Sequence, residues 1–251
     1  MKYWLQLLGC TTFIIMLVGI VSAACSNLET KIPTDKEIEW YESQILIQEN
    51  KKENAHKMAE AARALGYGDL HQIIEIAKQE WVMADENVQN LNKTLEELKR
   101  TQNETKNKQE AEYPTATYIW YFLNDYGYND YVKAGVLGNM MAEAGGQTLN
   151  IQVDAYSPGY YGICQWSLYY NPTLENASLE TQVRYLISSM EYEFNTFGKN
   201  YKKGFKYSDF LKLDDEKDAA LAFAKSYERC TSASYNQRKK NAEKAYKYFV
   251  G

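Results

Sequence analysis

The stretch YVKAGVLGNMMAEAGG, Tyr131 to Gly146, puts a carboxylic acid where an amphipathic helix keeps hydrocarbon. Seven residues separate Val136 from Glu143, and at about 100° per residue they point within roughly 20° of one another. Glu143 therefore continues the apolar stripe of Val132, Val136 and Met140. Asn129 or Asp130 can cap the start of this helix, and Gly145 is expected to supply the left-handed residue that ends it. A carboxyl group in such a stripe and beside the partly negative helix end is disfavoured as an anion, which makes it a candidate proton donor. Two other placements fit the same spacing: the rim of the stripe, half wet, or a pair with a buried arginine.

Other chemistry is narrowed by residue types. The only histidines are His56 and His71. Residues 113–251 therefore cannot build a Ser-His-Asp or Cys-His unit or a histidine-bound zinc site. Cys164, without a base partner, reads as a small core residue or as half of a disulfide with Cys230. Neither a phosphate-binding loop nor a dinucleotide fingerprint occurs, and no cofactor or metal is called for. Carboxylate chemistry is left, and its best-known use is glycoside cleavage, in which a protonated acid in an apolar pocket donates to the leaving oxygen. Asp154 is the second candidate, able to activate water or to face positive charge on a sugar, or else to cap a turn. Glu228, in YERC, is expected to pair with Arg238 or an amide. Tyr156, Tyr160, Tyr161 and Trp166 can stack on sugar rings or brace their loop.

The elements that must position these groups are helical. ATYIWYFLNDYG and YVKAGVLGNMMAEA predict two helices, and SLETQVRYLISSMEYEFNTFG, EKDAALAFAKSYER and NQRKKNAEKAYKYF predict three more. Between them GGQTLNIQVDAYSPGYYGICQWS is rich in Gly, Pro, Asn, Asp and Ser, and predicts a loop with a short hairpin. Residues 113–251 thus form a mainly α domain that holds 19 of the 22 tyrosines. With 15 acidic and 15 basic residues it gives no support to nucleic-acid binding.

Upstream, residues 34–110 hold no proline and are dense in Glu, Lys, Gln, Asn and Ala. Ile74, Ala77, Trp81, Ala84, Val88, Leu91, Leu95 and Leu98 alternate spacings of three and four, a seam that needs a partner helix. A weaker seam runs through Ile38, Tyr41, Ile45, Ala55, Ala59 and Ala62, with GYGD at Gly66–Asp69 dividing the two. The expectation is a helical hairpin or coiled-coil stalk whose arms pack on each other or on a second copy, joined by the polar link TQNETKNKQEAEYP to the C-terminal domain. Residues 1–24 carry one lysine, an apolar run and a small-residue cleavage pattern at Val21-Ser22-Ala23. They read as an export signal, or as a retained membrane anchor, and Cys25 stands where a lipoprotein box would place it.

GVLGNMMAEAG, then GYYGICQWS, then SYERCTSASYNQRKKNAEKAY together resemble the phage tail lysozyme family, a branch of the lysozyme-like superfamily that includes goose-type lysozymes and lytic transglycosylases. The resemblance covers residues 113–251 and implies a lysozyme-like α+β domain that cuts the glycan backbone of peptidoglycan between N-acetylmuramic acid and N-acetylglucosamine. It maps the catalytic acid onto Glu143 and implies that Gln165 and Trp166 line the sugar cleft. Many relatives have Ser after the acid, where this chain has Ala144. Lytic transglycosylases further imply an alternative to a second acid, attack by the N-acetyl group of the substrate. Together with the export signal, this gives an exported or membrane-tethered peptidoglycan glycosidase, with a wall-piercing secretion or conjugation apparatus as its setting. The rival is an envelope assembly protein that binds glycan without cutting it.

Overall fold

The computed structural model describes residues 32–65 and 71–251. The expected signal or anchor, Cys25 and the GYGD turn lie outside the described residues. Helix α1 (Asp35–Leu65) starts at a reciprocal cap: the Glu37 N–H donates to Thr34 Oγ1 at 3.2 Å, and the Thr34 N–H donates to Glu37 Oε2 at 2.8 Å. Helix α2 (His71–Glu112) runs antiparallel to it. Lys52 meets Asp85 at 2.6 Å and Lys99 meets Glu42 at 2.8 Å, so rising positions on one arm face falling ones on the other. The seam is the one the spacing predicts, with Ala55, Ala59 and Ala62 buried along one arm and Ala77, Ala84, Val88 and Leu95 along the other. Trp81, too large for the alanine-lined gap, stays 41% exposed with Lys52 over its ring. The segment expected to be a polar link is helical as far as Glu112.

Tyr113 alone separates α2 from α3 (Pro114–Asp125), where Pro114 occupies the first turn, a position that needs no N–H. Helix α4 (Asp130–Glu143) follows, capped by Asn129, whose Oδ1 accepts the Val132 N–H at 2.9 Å. Every residue of α4 from Val132 to Met141 is buried. The helix is therefore central and enclosed on all sides, and the apolar stripe is only one of its covered faces. It ends otherwise than expected: Gly146, with φ of 55°, takes the left-handed position. Gly145 is there for space, since a Cβ would lie 2.4 Å from the Thr148 carbonyl oxygen.

The polar loop folds into three two-residue strands, β1 (Tyr156–Ser157), β2 (Tyr160–Tyr161) and β3 (Trp166–Ser167), paired antiparallel in chain order. Helices α5 (Leu179–Phe197), α6 (Tyr207–Phe210), α7 (Glu216–Phe223) and α8 (Tyr235–Phe249) complete a mainly helical fold. Phe194, Phe210 and Phe223 stack and tilt against each other at its centre, near Leu186 and Met140. The expected helix EKDAALAFAKSYER breaks in two. After Phe223 the chain winds into a π turn over Ala224–Glu228 and stops at Arg229, whose φ of 53° is left-handed.

Two glycines let the other helices reach α4. A Cβ on Gly135 would lie 2.6 Å from the Ala219 Cβ of α7, and one on Gly138 would lie 2.5 Å from the Ala242 N and 2.8 Å from the Arg238 carbonyl oxygen of α8. Gly138→Ala improves helix propensity by about 1 kcal/mol, but the clash is with backbone and α8 must retreat, an overpacking cost of about 1–3 kcal/mol or more. Net destabilisation is expected, read as a lower urea midpoint; an unchanged or raised midpoint would show that α8 yields freely.

Candidate active site

Gly138 brings α8 against the last turns of α4, and Arg238 enters the junction. Only 4% of this residue is exposed, and a buried guanidinium must find acceptors. Its Nη1 donates to Asn139 Oδ1 at 2.9 Å and to the Asn139 carbonyl at 3.5 Å, and its Nε donates to Ser234 Oγ at 3.2 Å. Nη2 donates to Glu143 Oε1 in a close ion pair. Asn139 is itself fixed, its amide donating to the carbonyls of Gly135 at 2.8 Å and Ala220 at 3.0 Å. Asn241, one turn along α8, donates to the Gly138 carbonyl at 3.3 Å and to Gln147 Oε1 at 2.8 Å, which ties down the chain just beyond Glu143. Of the placements the spacing allowed for Glu143, the structure has the pair with a buried arginine, its side chain remaining 22% exposed.

The second acid here is Glu228, brought inward by the π turn. Its Oε1 is sealed from solvent and has no hydrogen-bond partner. The expected pair with Arg238 is not made, because that guanidinium is turned to Glu143. Burial, then the charge of Glu143, pushes the Glu228 carboxyl up to about 8, against the pull of Arg238 and a contact with the Cys164 thiol. Burial, followed by Glu228 and Glu143, likewise raises the Cys164 thiol well above its usual range. Cys164 and Cys230 are both free, so the expected disulfide is absent. The Cys230 thiol lies instead at 3.5 Å from the Ala224 carbonyl and accepts from Ser234 Oγ at 3.2 Å.

The sheet forms the adjoining wall. Gln165 stands at a left-handed φ of 47° and commits its amide to the loop: Nε2 donates to the carbonyls of Ala155 at 2.8 Å and Gly162 at 3.1 Å, and Oε1 accepts from Ser157 at 2.7 Å. Gly162, at φ of 85°, cannot carry a Cβ, which would fall 2.3 Å from Gln182 Oε1. Trp166 is buried, donating to Tyr227 Oη at 3.1 Å, and Tyr161 is buried beside it. Directly opposed residues share a face, so Tyr156, Tyr161 and Trp166 lie on one side of the sheet and Tyr160 on the other. Tyr156 and Tyr160 are exposed, as are Tyr169 and Tyr170, which pack edge to face at 4.9 Å. Asp154 is exposed in the turn before β1, two residues beyond Gln152, whose N–H donates to the Ala144 carbonyl at 2.9 Å. That bond fastens the loop to the end of α4.

Sequence reasoning missed Glu228 as an unpaired buried acid. It also undervalued Arg238, whose signal was its alignment with Ala242, Ala245 and Phe249 on the buried stripe of α8. Among the described residues no group of three His, Cys, Asp or Glu side chains is placed to hold a metal ion. A cavity of about 390 Å³ opens at the other end of α4, but Lys133 in its wall is already satisfied by Asp130 at 2.8 Å, Asn124 at 2.9 Å and the face of Trp120. A family model described as phage tail lysozyme matches residues 114–249, from the first residue of α3 to the last of α8. No curated protein matches the chain.

Glu228 makes stability depend on pH. Its folded value of about 8 lies above the ordinary 4.5, so between these limits the unfolded chain releases a proton that the folded chain keeps. This contribution is fully present below about pH 4.5 and is lost as the pH rises toward 8, on the order of a few kcal/mol in all. Urea unfolding of the wild type and Glu228→Gln across this range is expected to show the wild type losing stability relative to the variant as the pH rises. Parallel curves would mean that Glu228 titrates as an ordinary carboxylate.

Proposed function

The chain belongs to the phage tail lysozyme family over residues 114–249, a lysozyme-like kind of peptidoglycan-cleaving glycosidase, and on that premise we propose that it cuts the bond between N-acetylmuramic acid and N-acetylglucosamine with Glu143 as the general acid. The observation that carries this reading is the position of Glu143: partly open to solvent at the end of a helix buried from Val132 to Met141, next to a tyrosine-bearing wall. A side chain so held can reach a glycosidic oxygen without moving its backbone, and a glycan strand laid along the side of the sheet that carries Tyr156 meets the exposed ring of that residue. Gln165 and Trp166 serve by keeping the wall rigid, with Tyr161 packed beneath it.

Asp154 is the second carboxylate of this reading, activating water or facing the positive charge that develops on the sugar. The alternative to it is the N-acetyl group of the substrate, which would leave an anhydro sugar. The packed helical arms and the sequence of residues 1–24 support an exported enzyme held at the envelope on a spacer, serving a secretion or conjugation apparatus and able to self-associate through the hairpin. No helix among the described residues is long and apolar enough to cross a membrane. One observation favours a non-cutting glycan binder instead: the carboxyl of Glu143 is engaged by Arg238.

A zymogram of the full chain on purified peptidoglycan separates the two readings. Clearing is expected, and glycan binding without clearing would favour the binder. Glu143→Gln should lower the rate by about 10²- to 10⁴-fold while leaving the circular dichroism spectrum intact, the usual contribution of a positioned acid; a lytic variant removes the assignment. Asp154→Ala is expected to cost at least about tenfold. Full activity there, with anhydro-muramyl products by mass spectrometry, would move the reaction to the N-acetyl route.

A further inference from the structure

Arg238 is surrounded by more anionic capacity than it can neutralise. Its hydrogen bonds, to Asn139 twice, Ser234 and Glu143, use about four of the five N–H groups of a guanidinium. One donor on the buried cation is left, and one sealed acceptor, Glu228 Oε1, is left in the same cluster. Two carboxyl groups against a single cation in a poorly solvated place cannot both ionise without leaving a bare charge, so such a set retains a proton.

Beyond Arg238, the groups facing Glu228 offer only partial relief, from the Cys164 thiol and the weaker effect of the Arg229 charge. Arg229, its chain neighbour, turns away to pair with Glu193 and lies over the ring of Phe197 at 4.5 Å. Cys164 and Tyr227 both have their ionisation disfavoured by burial, and the Tyr227 hydroxyl is taken up by Ser189 at 2.8 Å and Trp166. The backbone that presents Glu228 is itself a departure from regular helix: a π turn closed by a left-handed non-glycine residue, a strained geometry of the kind that collects at working sites.

We propose that Glu228 is a positioning residue for Glu143: the two carboxyl groups divide one guanidinium and one proton between them, so that Glu143 becomes the neutral acid when Glu228 becomes the anion held by Arg238. This rests on Glu143 being the general acid. In the resting arrangement Arg238 pairs with Glu143 and the proton resides on Glu228. In the reactive arrangement the proton is on Glu143 and the freed N–H of Arg238 turns to Glu228. Glu143 then gives its proton to the glycosidic oxygen as the bond to the anomeric carbon breaks. The water or hydroxyl that bonds to that carbon releases a proton, which restores the pair to its starting count.

The test uses the full chain and soluble peptidoglycan oligosaccharides. Glu228→Gln removes the second carboxylate, so the alkaline limb of kcat should move to lower pH by about one unit or more, with at least a tenfold loss at neutral pH, KM unchanged and activity recovered in acid. Glu228→Asp should return part of the limb. A folded Glu228→Gln protein with an unshifted limb, or one inactive at every pH, overturns the proposal. Infrared difference spectroscopy decides the matter even where that variant fails to fold. The protonated-acid C=O band of Glu228, titrated in Glu143→Gln, should show its midpoint lowered by about one unit or more against the wild type. An unchanged midpoint means that the two acids share nothing, whether or not Glu143→Gln is lytic; persistent lysis by Glu143→Gln with a lowered midpoint would instead remove the general-acid reading and leave the shared proton standing.

Discussion

A cation sealed between two helices has to be satisfied, and that requirement shapes the whole junction around Arg238. Stripping water from a guanidinium costs several kcal/mol unless acceptors replace it. The acceptors come from three places: the Asn139 amide and carbonyl on α4, Ser234 ahead of α8, and the Glu143 carboxyl. The contacts to Asn139 and Glu143 form only because α8 lies almost on the backbone of α4, which the bare Cα of Gly138 permits. Glu143 is therefore oriented less by the stripe it belongs to than by an arginine nearly a hundred residues away.

Much of the scaffold was legible in local pattern. Each of the five helices expected after residue 113 has a counterpart, the fourth only as far as Phe223. The short helix Tyr207–Phe210 was not expected, and the turn-rich stretch between the second and third became a small sheet. The hairpin seam was legible too, because alternate spacings of three and four on both arms need each other. What local pattern did not carry was long-range: α4 is buried on every side, so its stripe was a weaker indicator of inward direction than it looked. The π turn left no mark, since AFAKSYER shows no glycine, proline or other local break; in the structure the rings of Phe223 and Tyr227 stack across it at 4.6 Å. The left-handed role expected of Gly145 falls to Gly146, while Gly145 lies so close to the Thr148 carbonyl that a Cβ would not fit.

The candidate site divides in the same way. Glu143 and the idea of a buried arginine partner came from one helix and were within reach of sequence. Gln165 and Trp166 were expected at a sugar surface through resemblance, and the structure shows their polar atoms hydrogen-bonded to the loop carbonyls and to Tyr227. A side chain whose hydrogen bonds are already made gives shape to a groove by keeping its wall still. The exposed tyrosines around it lie close in sequence to this braced turn, so rigidity at Gln165 is passed on to the rings that face solvent.

The long antiparallel arms have a consequence for how this chain can change. Helix α2 spans 42 residues, about 60 Å, and leads into α3 through the single residue Tyr113. With the seam repeating every seven positions, cutting a heptad from each arm would shorten the pair by about 10 Å while turning its faces by only about 20°. Single-residue cuts would swing the seam by about 100° and unpair it. The hairpin is thus a ruler graduated in sevens, and its length can drift over evolutionary time without the arginine cluster ever feeling the change.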